Sequence, residues 1–351
     1  MKKIGILGGG QLGKMIAIAA HQLDLHPVIF TDDKDSPALR ITNKSFVAPY
    51  SDTSAILKFG NEVDIVTTEF ENIPVNAIKT LKDHCAITPG IEAIKICQDR
   101  ILEKTFLQNL GIKTAKFKQI LNKDQLIYPD TDLGLAYIIK TAKHGYDGKG
   151  QALIKCKTDL KNIDDSFFPA VAESVVDFKK EISVIVAKNK RYLINFPVAE
   201  NAHVNGILYT STVPAKIALD LQKKAVEIAK QIAESLDING ILAVEFFITQ
   251  QDTLLVNELA PRPHNSGHWS NNCCDISQFH ALLLAITDQE IKNPNLIQHC
   301  TMQNIFGKDI EKAHQYFARK NCIIDIYGKK EAKTERKMGH VNFIKSDTEV
   351  F

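Results

Sequence analysis

Two glutamates, Glu245 and Glu258, occupy matching positions in the apolar runs LAVEFFIT and LLVNELA. Both runs are typical of strands, and a turn centred between Gln251 and Asp252 would place the two glutamates directly opposite each other. Like charges in that position repel, and their apolar neighbours limit screening by water. A divalent cation relieves the repulsion, and Mg²⁺ bound together with nucleotide phosphates suits a site with few protein oxygens. The pair therefore predicts a magnesium site, unless the register differs and one glutamate faces solvent.

The segment NELAPRPHNSGHWS at residues 257–270 is the densest group of polar side chains in the chain. Arg262 lies between two prolines, which stiffen the loop because each proline fixes its own φ angle. His264 and Asn265 follow directly. A stiff loop that carries guanidinium, imidazole and amide groups beside a metal site is suited to binding an anion. Taken in isolation, the segment has the alternative interpretation of a surface loop.

A glycine-rich segment, KHGYDGKGQ at residues 143–151, lies between two strand patterns. It does not fit the Walker pattern, because Gln151 follows Gly150 where that pattern needs a lysine. Glycine amides can approach phosphates closely, and Lys140 and Lys149 supply positive charge at either end. The segment indicates a mobile hairpin loop that closes over phosphates. The structural alternative is a flexible hairpin tip.

The N-terminus carries a second glycine pattern, in which Gly8, Gly10 and Gly13 follow a short apolar run and precede a helical pattern. Strand, glycine turn and helix fit the fingerprint G-x-G-x-x-G of dinucleotide sites. Asp32 and Asp33 lie about 20 residues further on, where a ribose-binding acid belongs. Read alone, this region is compatible with a nicotinamide-dependent dehydrogenase.

These side chains are distributed over three segments of different pattern. Residues 1–96 alternate short strands with helices, which predicts an open α/β domain with a parallel sheet. Residues 97–288 mix strands and helices in an order that predicts an α+β domain with antiparallel sheet. Residues 289–351 form a small C-terminal domain with two further strand patterns.

Composition limits the class of protein. The 351 residues are 44% hydrophobic and carry a formal net charge of +2, which gives no reason to expect nucleic acid or an anionic membrane as a partner. No window is long and apolar enough for a transmembrane helix, and the first residues are interrupted by glycines and Lys14, unlike a signal peptide. Seven cysteines without C-x-x-C spacing indicate reduced thiols and a cytoplasmic protein.

Six motifs together resemble a known family: GGGQLGKM, TTEFEN, HGYDGKGQ, AENAHVNGILYTS, NELAPRPHNSGHWS and RKMGHVNF. They resemble the ATP-grasp superfamily of carboxylate–amine ligases and, within it, the 5-(carboxyamino)imidazole ribonucleotide synthases. The motifs span residues 8–343, nearly the whole chain. The resemblance implies a Rossmann-like N-terminal domain, a two-part ATP-grasp domain with a glycine-rich lid at about 113–173, and a homodimer.

The implied activity is carboxylation of 5-aminoimidazole ribonucleotide through carboxyphosphate, made from ATP and bicarbonate with Mg²⁺, in purine biosynthesis. Neither NAD nor biotin takes part. The N-terminal glycine turn would then face the acceptor substrate, with Gln11 as a contact, and Asp32 and Asp33 would be ordinary strand-end residues. Lys329 and Arg336 would bind the 5′-phosphate of the ribonucleotide.

The resemblance also implies roles for individual side chains. Arg262, Lys140, His264 and Asn265 would be catalytic, and Glu245 and Glu258 would ligate the metal. The adenine would meet a hinge at residues 173–176. The implied ATP site comprises Arg100, Lys140, Gly145, Tyr146, Asp147, Gly148, Lys149, Gly150, Gln151, Glu173, Ser174, Val175, Val176, Glu181, His203, Asn257 and Glu258.

One part of the tail departs from the family pattern. Thr334 and Glu335 precede Arg336 where relatives usually carry Arg-Pro-Gly-Arg, and an acid beside a phosphate site is unfavourable. Lys330, next to Lys329, is a second candidate for the phosphate contact. Three alternatives remain at this stage: another ATP-grasp ligase such as a formate-dependent transformylase or a biotin carboxylase, a nicotinamide dehydrogenase, and a catalytically silent nucleotide-binding protein.

Overall fold

The computed structural model describes residues 1–145 and 149–344 and begins with an open parallel sheet. The strand order is β3-β2-β1-β4-β5, and every neighbouring pair is parallel, which confirms the predicted α/β architecture of this segment. The elements of this N-terminal sheet and its helices are β1 (Lys3–Leu7), α1 (Gln11–Gln22), β2 (His26–Thr31), β3 (Ser45–Val47), α2 (Thr53–Gly60), β4 (Ile65–Thr68), α3 (Val75–Thr80), β5 (Ala86–Ile87) and α4 (Ile91–Cys97).

A helix, α5 (Arg100–Asn109), leads into a second sheet of four antiparallel strands, here called the lid sheet. Its order is β6-β9-β7-β8, with bounds β6 (Phe117–Ile120), β7 (Tyr137–Thr141), β8 (Gln151–Ile154) and β9 (Ala170–Ser174). Strands β7 and β8 pair with each other, and Lys140 lies opposite Gln151. The predicted hairpin around the glycine-rich segment is therefore confirmed, while its residues 146–148 lie outside the described residues.

The third and largest sheet is antiparallel and runs in the order β15-β14-β10-β12-β13-β16-β18-β17, with β11 paired to β10. Helix α6 covers one face of this large sheet, and α8 packs on the other face next to α1. Its elements are β10 (Phe178–Lys188), β11 (Leu193–Asn195), β12 (Ala199–Val204), β13 (Ile207–Val213), α6 (Leu219–Ser235), β14 (Gly240–Thr249), β15 (Leu254–Ala260), α7 (Ser270–Cys273), α8 (Gln278–Ile286), β16 (Cys300–Phe306), β17 (Cys322–Ile326) and β18 (Lys337–Ile344).

The C-terminal segment joins the large sheet directly. Strand β16 pairs with β13, with Thr210 opposite Gln303, so β16, β17 and β18 extend the sheet instead of forming one of their own. The domain boundaries near residues 96 and 288 stay predictions. The described residues also contain 3₁₀ helices at Pro37–Arg40, Lys123–Gln125, Asp159–Asn162, Asp165–Phe167, Asn265–Gly267 and Gly307–Ala318.

Within residues 1–145 and 149–344, no helix combines the length and apolar character needed to cross a membrane. All seven cysteines lie within these residues, and none of them forms a disulfide.

Candidate active site

One large cavity, of about 1570 Å³, lies between the three sheets. Side chains from the N-terminal sheet, the lid sheet, the large sheet and the segment after β17 all line it. The predicted site residues that line this cavity are Gln11, Arg100, Lys140, Lys149, Gln151, Glu173, Glu181, His203, Glu245, Asn257, Glu258, Arg262, His264, Asn265, Lys329 and Arg336.

The paired glutamates lie on neighbouring strands at the cavity wall. Glu245 of β14 is directly opposite Glu258 of β15, so the predicted pairing is confirmed. The predicted turn centre is wrong. Near the turn Phe246 pairs with Val256, and one extra residue in β15, Asn257, shifts the register by one before Glu258. This bulge explains why both Asn257 and Glu258 line the cavity.

The electrostatics of this pair fit a cation. Burial, followed by the charge of Glu258, raises the pKa of Glu245 to about 7. A divalent ion held between the two carboxylates removes that repulsion. Among the described residues no group of three or more His, Cys, Asp or Glu side chains could hold a metal by itself. Two carboxylates suit Mg²⁺ that takes its remaining oxygen ligands from phosphates and water.

Buried cations lie at the base of the lid sheet. The Nζ of Lys140 lies 3.0 Å from one carboxylate oxygen of Glu173, and the Nζ of Lys104 lies 3.5 Å from the other. Burial acts to raise the pKa of Glu173, but the two ammonium groups outweigh it and hold the pKa below its ordinary value. Arg100 donates to the backbone oxygens of Thr141, at 2.9 Å, and Gly145, at 3.3 Å, which ties α5 to the start of the glycine-rich segment.

The stiff loop that follows β15 presents Arg262 and His264 to the cavity. The Nε of Arg262 donates to Glu71, whose pKa is lowered because Arg262 outweighs the opposing effect of burial. Burial and the nearby Arg262 charge lower the pKa of His264 to about 3, so its ring is neutral at pH 7. Both side-chain polar atoms of Asn265 are buried without a hydrogen-bond partner among the described residues. The loop therefore offers one cation and two neutral polar groups.

Aromatic and polar groups share the side of the cavity near β10. Phe178 and Phe247 stack with ring centroids 4.6 Å apart, and both line the cavity. The Nδ1 of His203 lies 2.6 Å from Glu181. Burial would lower the pKa of His203, but Glu181 and Glu245 outweigh it and raise the pKa. This region combines an apolar surface for a planar ring with a carboxylate that can accept from hydroxyl groups.

Basic side chains of the segment between β17 and β18 line another wall. Lys330 forms an exposed ion pair of 3.0 Å with Asp35, which occupies its ammonium group. The ammonium of Lys329 lies 5.6 Å from the ring centroid of Tyr327, and the Nη1 of Arg336 donates to the backbone oxygen of Glu331 at 3.3 Å. Glu335 and Thr334, the departure seen in the sequence, also line the cavity, as Gln11 and Asp33 do on the facing wall.

The N-terminal glycine turn is filled by a protein side chain. The carboxylate of Glu69, at the end of β4, accepts hydrogen bonds from the backbone N–H groups of Gly10 and Gly13, the latter at 2.7 Å. Glu69 is 7% exposed, and burial raises its pKa although these two N–H groups oppose the shift. The donors that hold a pyrophosphate in a dinucleotide site are therefore already taken here.

Some predicted residues lie away from the main cavity or outside the description. Ser174, Val175 and Val176 lie between the lining residues Glu173 and Phe178 and do not line the cavity themselves. Gly145 lines a small neighbouring pocket, and Gly150, at φ +68°, directly precedes strand β8 of the hairpin. Three predicted ATP-site residues lie outside the described residues: Tyr146, Asp147 and Gly148.

Sequence reasoning missed several acidic and basic side chains of the site. The motif TTEFEN contains Glu69 and Glu71 without assigning them a role, and no sequence pattern singled out Glu103 or Lys104. All four line the cavity. Burial, opposed by Lys104, raises the pKa of Glu103 to about 8. What sets Glu103 and Lys104 apart is the burial of two charged side chains, and this is visible only in the structure.

Three known domain families match the chain in succession. Residues 1–98 match the ribonucleotide synthetase preATP-grasp domain, residues 105–279 the ATP-grasp domain, and residues 300–351 the phosphoribosylaminoimidazole carboxylase C-terminal domain. The cavity described above is lined by residues of all three matched regions.

Full-length relatives agree with this order. The N5-carboxyaminoimidazole ribonucleotide synthase of Brucella melitensis is 40% identical, covering 98% of this chain and 97% of that protein. The enzyme of the same name from Bacillus subtilis is also 40% identical, covering 97% of this chain and 91% of that protein.

Two solved structures show the same architecture. The N5-carboxyaminoimidazole synthetase of Staphylococcus aureus complexed with ADP has a TM-score of 0.91 at 38% identity, covering 99% of this chain and 94% of that one. The enzyme of Aspergillus clavatus in complex with ADP and 5-aminoimidazole ribonucleotide has a TM-score of 0.88 at 28% identity, covering 98% and 94%.

Proposed function

Because the chain belongs to the N5-carboxyaminoimidazole ribonucleotide synthase family of ATP-grasp ligases, we propose that its cavity carries out that family's reaction in two successive steps. The reaction is the ATP-dependent carboxylation of 5-aminoimidazole ribonucleotide in purine biosynthesis, with ATP converted to ADP. We propose bicarbonate as the carboxyl source and Mg²⁺ as the metal.

In the first step a bicarbonate oxygen attacks the γ-phosphorus of ATP, which gives carboxyphosphate and ADP. Lys140 and Arg262 neutralise negative charge on the transferred group, which is the main contribution of protein side chains to phosphoryl transfer. His264 and Asn265 orient bicarbonate by hydrogen bonds. His264 supplies no positive charge at pH 7, because burial and Arg262 keep its pKa near 3.

The metal belongs between Glu245 and Glu258. Mg²⁺ held by these two carboxylates would offset the negative charge that develops on the phosphates during transfer. The facing pair on β14 and β15 and the raised pKa of Glu245 support this assignment. For the nucleoside, Glu181 accepts from the ribose hydroxyls, and the adenine lies against the hinge at residues 173–176, next to the apolar surface of Phe178.

In the second step the exocyclic amine of the aminoimidazole takes up the carboxyl carbon, phosphate leaves, and the nitrogen loses a proton. The donor is carboxyphosphate or the CO₂ released from it. We propose that Lys329 and Arg336 hold the 5′-phosphate and that Gln11 contacts the same substrate. Lys330, which pairs with Asp35, is the second candidate for the phosphate contact.

One observation carries the proposal: the facing glutamates, Lys140, Arg262, Lys329 and Arg336 line a single cavity. Its volume of about 1570 Å³ exceeds the roughly 300–1,000 Å³ of ordinary small-molecule sites. That size accommodates a nucleotide and a ribonucleotide at the same time. Glu69 in the glycine turn disfavours the dehydrogenase alternative.

The direct test mixes the purified protein with ATP, Mg²⁺ and ¹⁴C-bicarbonate, with and without 5-aminoimidazole ribonucleotide. We expect ADP release that depends on bicarbonate and rises with the ribonucleotide, together with transfer of label to the ribonucleotide. ADP release that needs neither bicarbonate nor the ribonucleotide would contradict the proposed reaction.

The metal assignment has its own prediction. Glu258→Gln should nearly abolish ADP formation and Glu245→Gln should reduce it strongly, because each removes one carboxylate from the Mg²⁺ site. The concentration of Mg²⁺ that gives half-maximal rate, measured for each variant, should rise. Wild-type activity of either variant at low Mg²⁺ would show that the facing pair does not hold the metal.

We also propose a homodimer in the cytoplasm. The resemblance to the family supports the dimer, and seven cysteines without a disulfide among them support a reducing compartment. Analytical ultracentrifugation of the full chain measures the first point, and a single species with the mass of one chain would contradict it.

A further inference from the structure

We propose that Glu103 and Lys104 of α5 are positioning residues that hold the bulge of β15 and so direct Glu258 into the cavity. The inference rests on the proposed metal role of Glu258, and it assigns a function to two neighbouring side chains that touch neither substrate nor metal in that proposal.

The bulge decides which way Glu258 faces. Val244 and Phe246 of β14 point into the core beneath α6, as do Leu254 and Val256 of β15. Because side chains alternate along a strand, an uninterrupted ladder from Phe246–Val256 would place Glu258 opposite Val244, in that core. The extra residue Asn257 places Leu259 opposite Val244 instead and leaves Glu258 opposite Glu245.

The backbone on both sides of Glu258 is held by α5. The Nζ of Lys104 donates to the backbone oxygen of Asn257 at 3.2 Å, and the backbone N–H of Leu259 donates to a carboxylate oxygen of Glu103 at 2.9 Å. The two side chains come from adjacent helix positions and bond the residues immediately before and after Glu258. Both are almost fully buried, with Glu103 3% and Lys104 1% exposed.

Strand β15 is an edge strand of the large sheet, so its backbone groups that face away from β14 have no ladder partner there. Buried backbone groups need partners, and those beside Glu258 find them in the side chains of α5. Lys104 is fixed in turn by its ion pair with Glu173, which also holds Lys140. The orientation of the glutamate and that of the proposed phosphate-binding lysine are thereby set by one buried network.

The test compares substitutions at these two positions. Glu103→Leu removes the acceptor, while Glu103→Gln keeps an oxygen that can accept from Leu259, and Lys104→Met removes the donor to Asn257. Gln108→Leu, at an exposed position of the same helix, is the matched control. Calorimetry measures ADP affinity as a function of Mg²⁺ concentration, steady-state kinetics give KM for the ribonucleotide, and thermal melts report folding.

We expect Glu103→Leu and Lys104→Met to raise the Mg²⁺ concentration for half-maximal ADP affinity by about fivefold to tenfold, the effect of one unsatisfied backbone group. KM for the ribonucleotide should stay near the wild-type value in both. Glu103→Gln should restore wild-type Mg²⁺ dependence, and Gln108→Leu should match the wild type throughout.

The variant Glu258→Gln distinguishes the positioning role of Glu103 and Lys104 from the metal role of Glu258. If Glu258→Gln shifts the Mg²⁺ dependence but folded Glu103→Leu and Lys104→Met do not, the positioning role is overturned and the metal assignment stands. Equal defects in Glu103→Leu and Glu103→Gln would also overturn it, because the hydrogen bond would then not be the cause. No Mg²⁺ shift in Glu258→Gln would overturn the metal assignment and this inference with it.

Discussion

At the turn after β1, a single buried side chain determines what the glycine fingerprint can bind. Glu69 places its carboxylate on the N–H groups of Gly10 and Gly13, at the N-terminus of α1. A helix N-terminus leaves N–H groups that need an acceptor, and here the acceptor is a carboxyl group of the protein itself. The fingerprint then serves packing: a Cβ on Gly8 would lie 2.2 Å from the Glu69 side chain, so the glycines make room for the carboxylate.

The wild-type protein should therefore not bind NADH. A pyrophosphate would have to displace the Glu69 carboxyl group from the Gly10 and Gly13 N–H groups, which are the donors that it needs. Calorimetry with NADH should show no binding at micromolar concentrations, whereas a titration with ATP and Mg²⁺ under the same conditions should give a clear isotherm. Micromolar NADH affinity that ATP does not displace would contradict this reading of the turn.

The residue types were the part of the site that could best be predicted from the sequence. Glu245, Glu258, Lys140 and Arg262 stood out because paired carboxylates, lysines beside a glycine loop and an arginine between prolines suggest chemistry without reference to the fold. Glu69 did not, because its partners are 56 and 59 positions away. Partners brought together by the chain's long-range folding leave no local spacing in the sequence.

At the scale of elements, the parallel and antiparallel sheets and both hairpins followed from the alternation of strand and helix patterns. The pairing of Glu245 with Glu258 was predicted from symmetry about a turn between residues 251 and 252, yet the structure reaches it through the bulge at Asn257. The sequence did contain a sign of this. Apolar residues Leu254, Val256 and Leu259 break the two-residue period of a regular strand at one step.

Two buried histidines, His340 of β18 and His268, lie against each other where the C-terminal strands extend the large sheet. His340 of β18 lies 4.9 Å, ring centroid to centroid, from His268, and its Nδ1 is 3.1 Å from the hydroxyl of Tyr327. Burial lowers the pKa of His340 to about 4, while Asp325 opposes the shift and Lys14 adds to it. Burial likewise lowers the pKa of His268, so both rings are neutral at pH 7.

The free energy of unfolding should fall as the pH drops from about 6.5 to about 4. An unfolded chain protonates His340 near its ordinary pKa of about 6.5 and the folded chain only near 4. The unfolded state thus binds the extra proton inside this window, and the stabilisation present above it, about 3 kcal/mol at most, is lost on acidification.

Urea unfolding at several pH values between 7 and 4.5 checks this. His340→Gln should show a shallower decline than the wild type, because one proton no longer binds on unfolding. His299→Gln, at an exposed position, should follow the wild type. Identical slopes for the wild type and His340→Gln would mean that His340 is not held neutral by burial.

At the scale of the whole molecule, the cavity exists only because all three sheets meet. The N-terminal sheet brings Glu69 and Glu71, the lid sheet brings Lys140, and the large sheet brings Glu245 and Glu258. Contacts across the segments fix their arrangement: the Nζ of Lys14 donates to the backbone oxygen of Ile326 at 2.8 Å, and Arg262 pairs with Glu71. Sequence patterns indicated each segment, but not how the walls converge.

This arrangement predicts that the two ends of the cavity act on different substrates. Arg336, in the C-terminal segment, should affect only the ribonucleotide, and Arg262, beside the facing glutamates, should affect phosphoryl transfer. A charge-assisted contact to phosphate contributes about 1.5–3 kcal/mol, so Arg336→Ala should raise KM for the ribonucleotide by roughly tenfold or more and leave KM for ATP nearly unchanged. Arg262→Ala should instead lower kcat.

Arg319→Ala, exposed and outside the cavity lining, is the control and should behave as the wild type. Steady-state kinetics with each substrate varied in turn measures both halves, and an Arg336→Ala variant impaired toward ATP but not toward the ribonucleotide would place the acceptor substrate elsewhere.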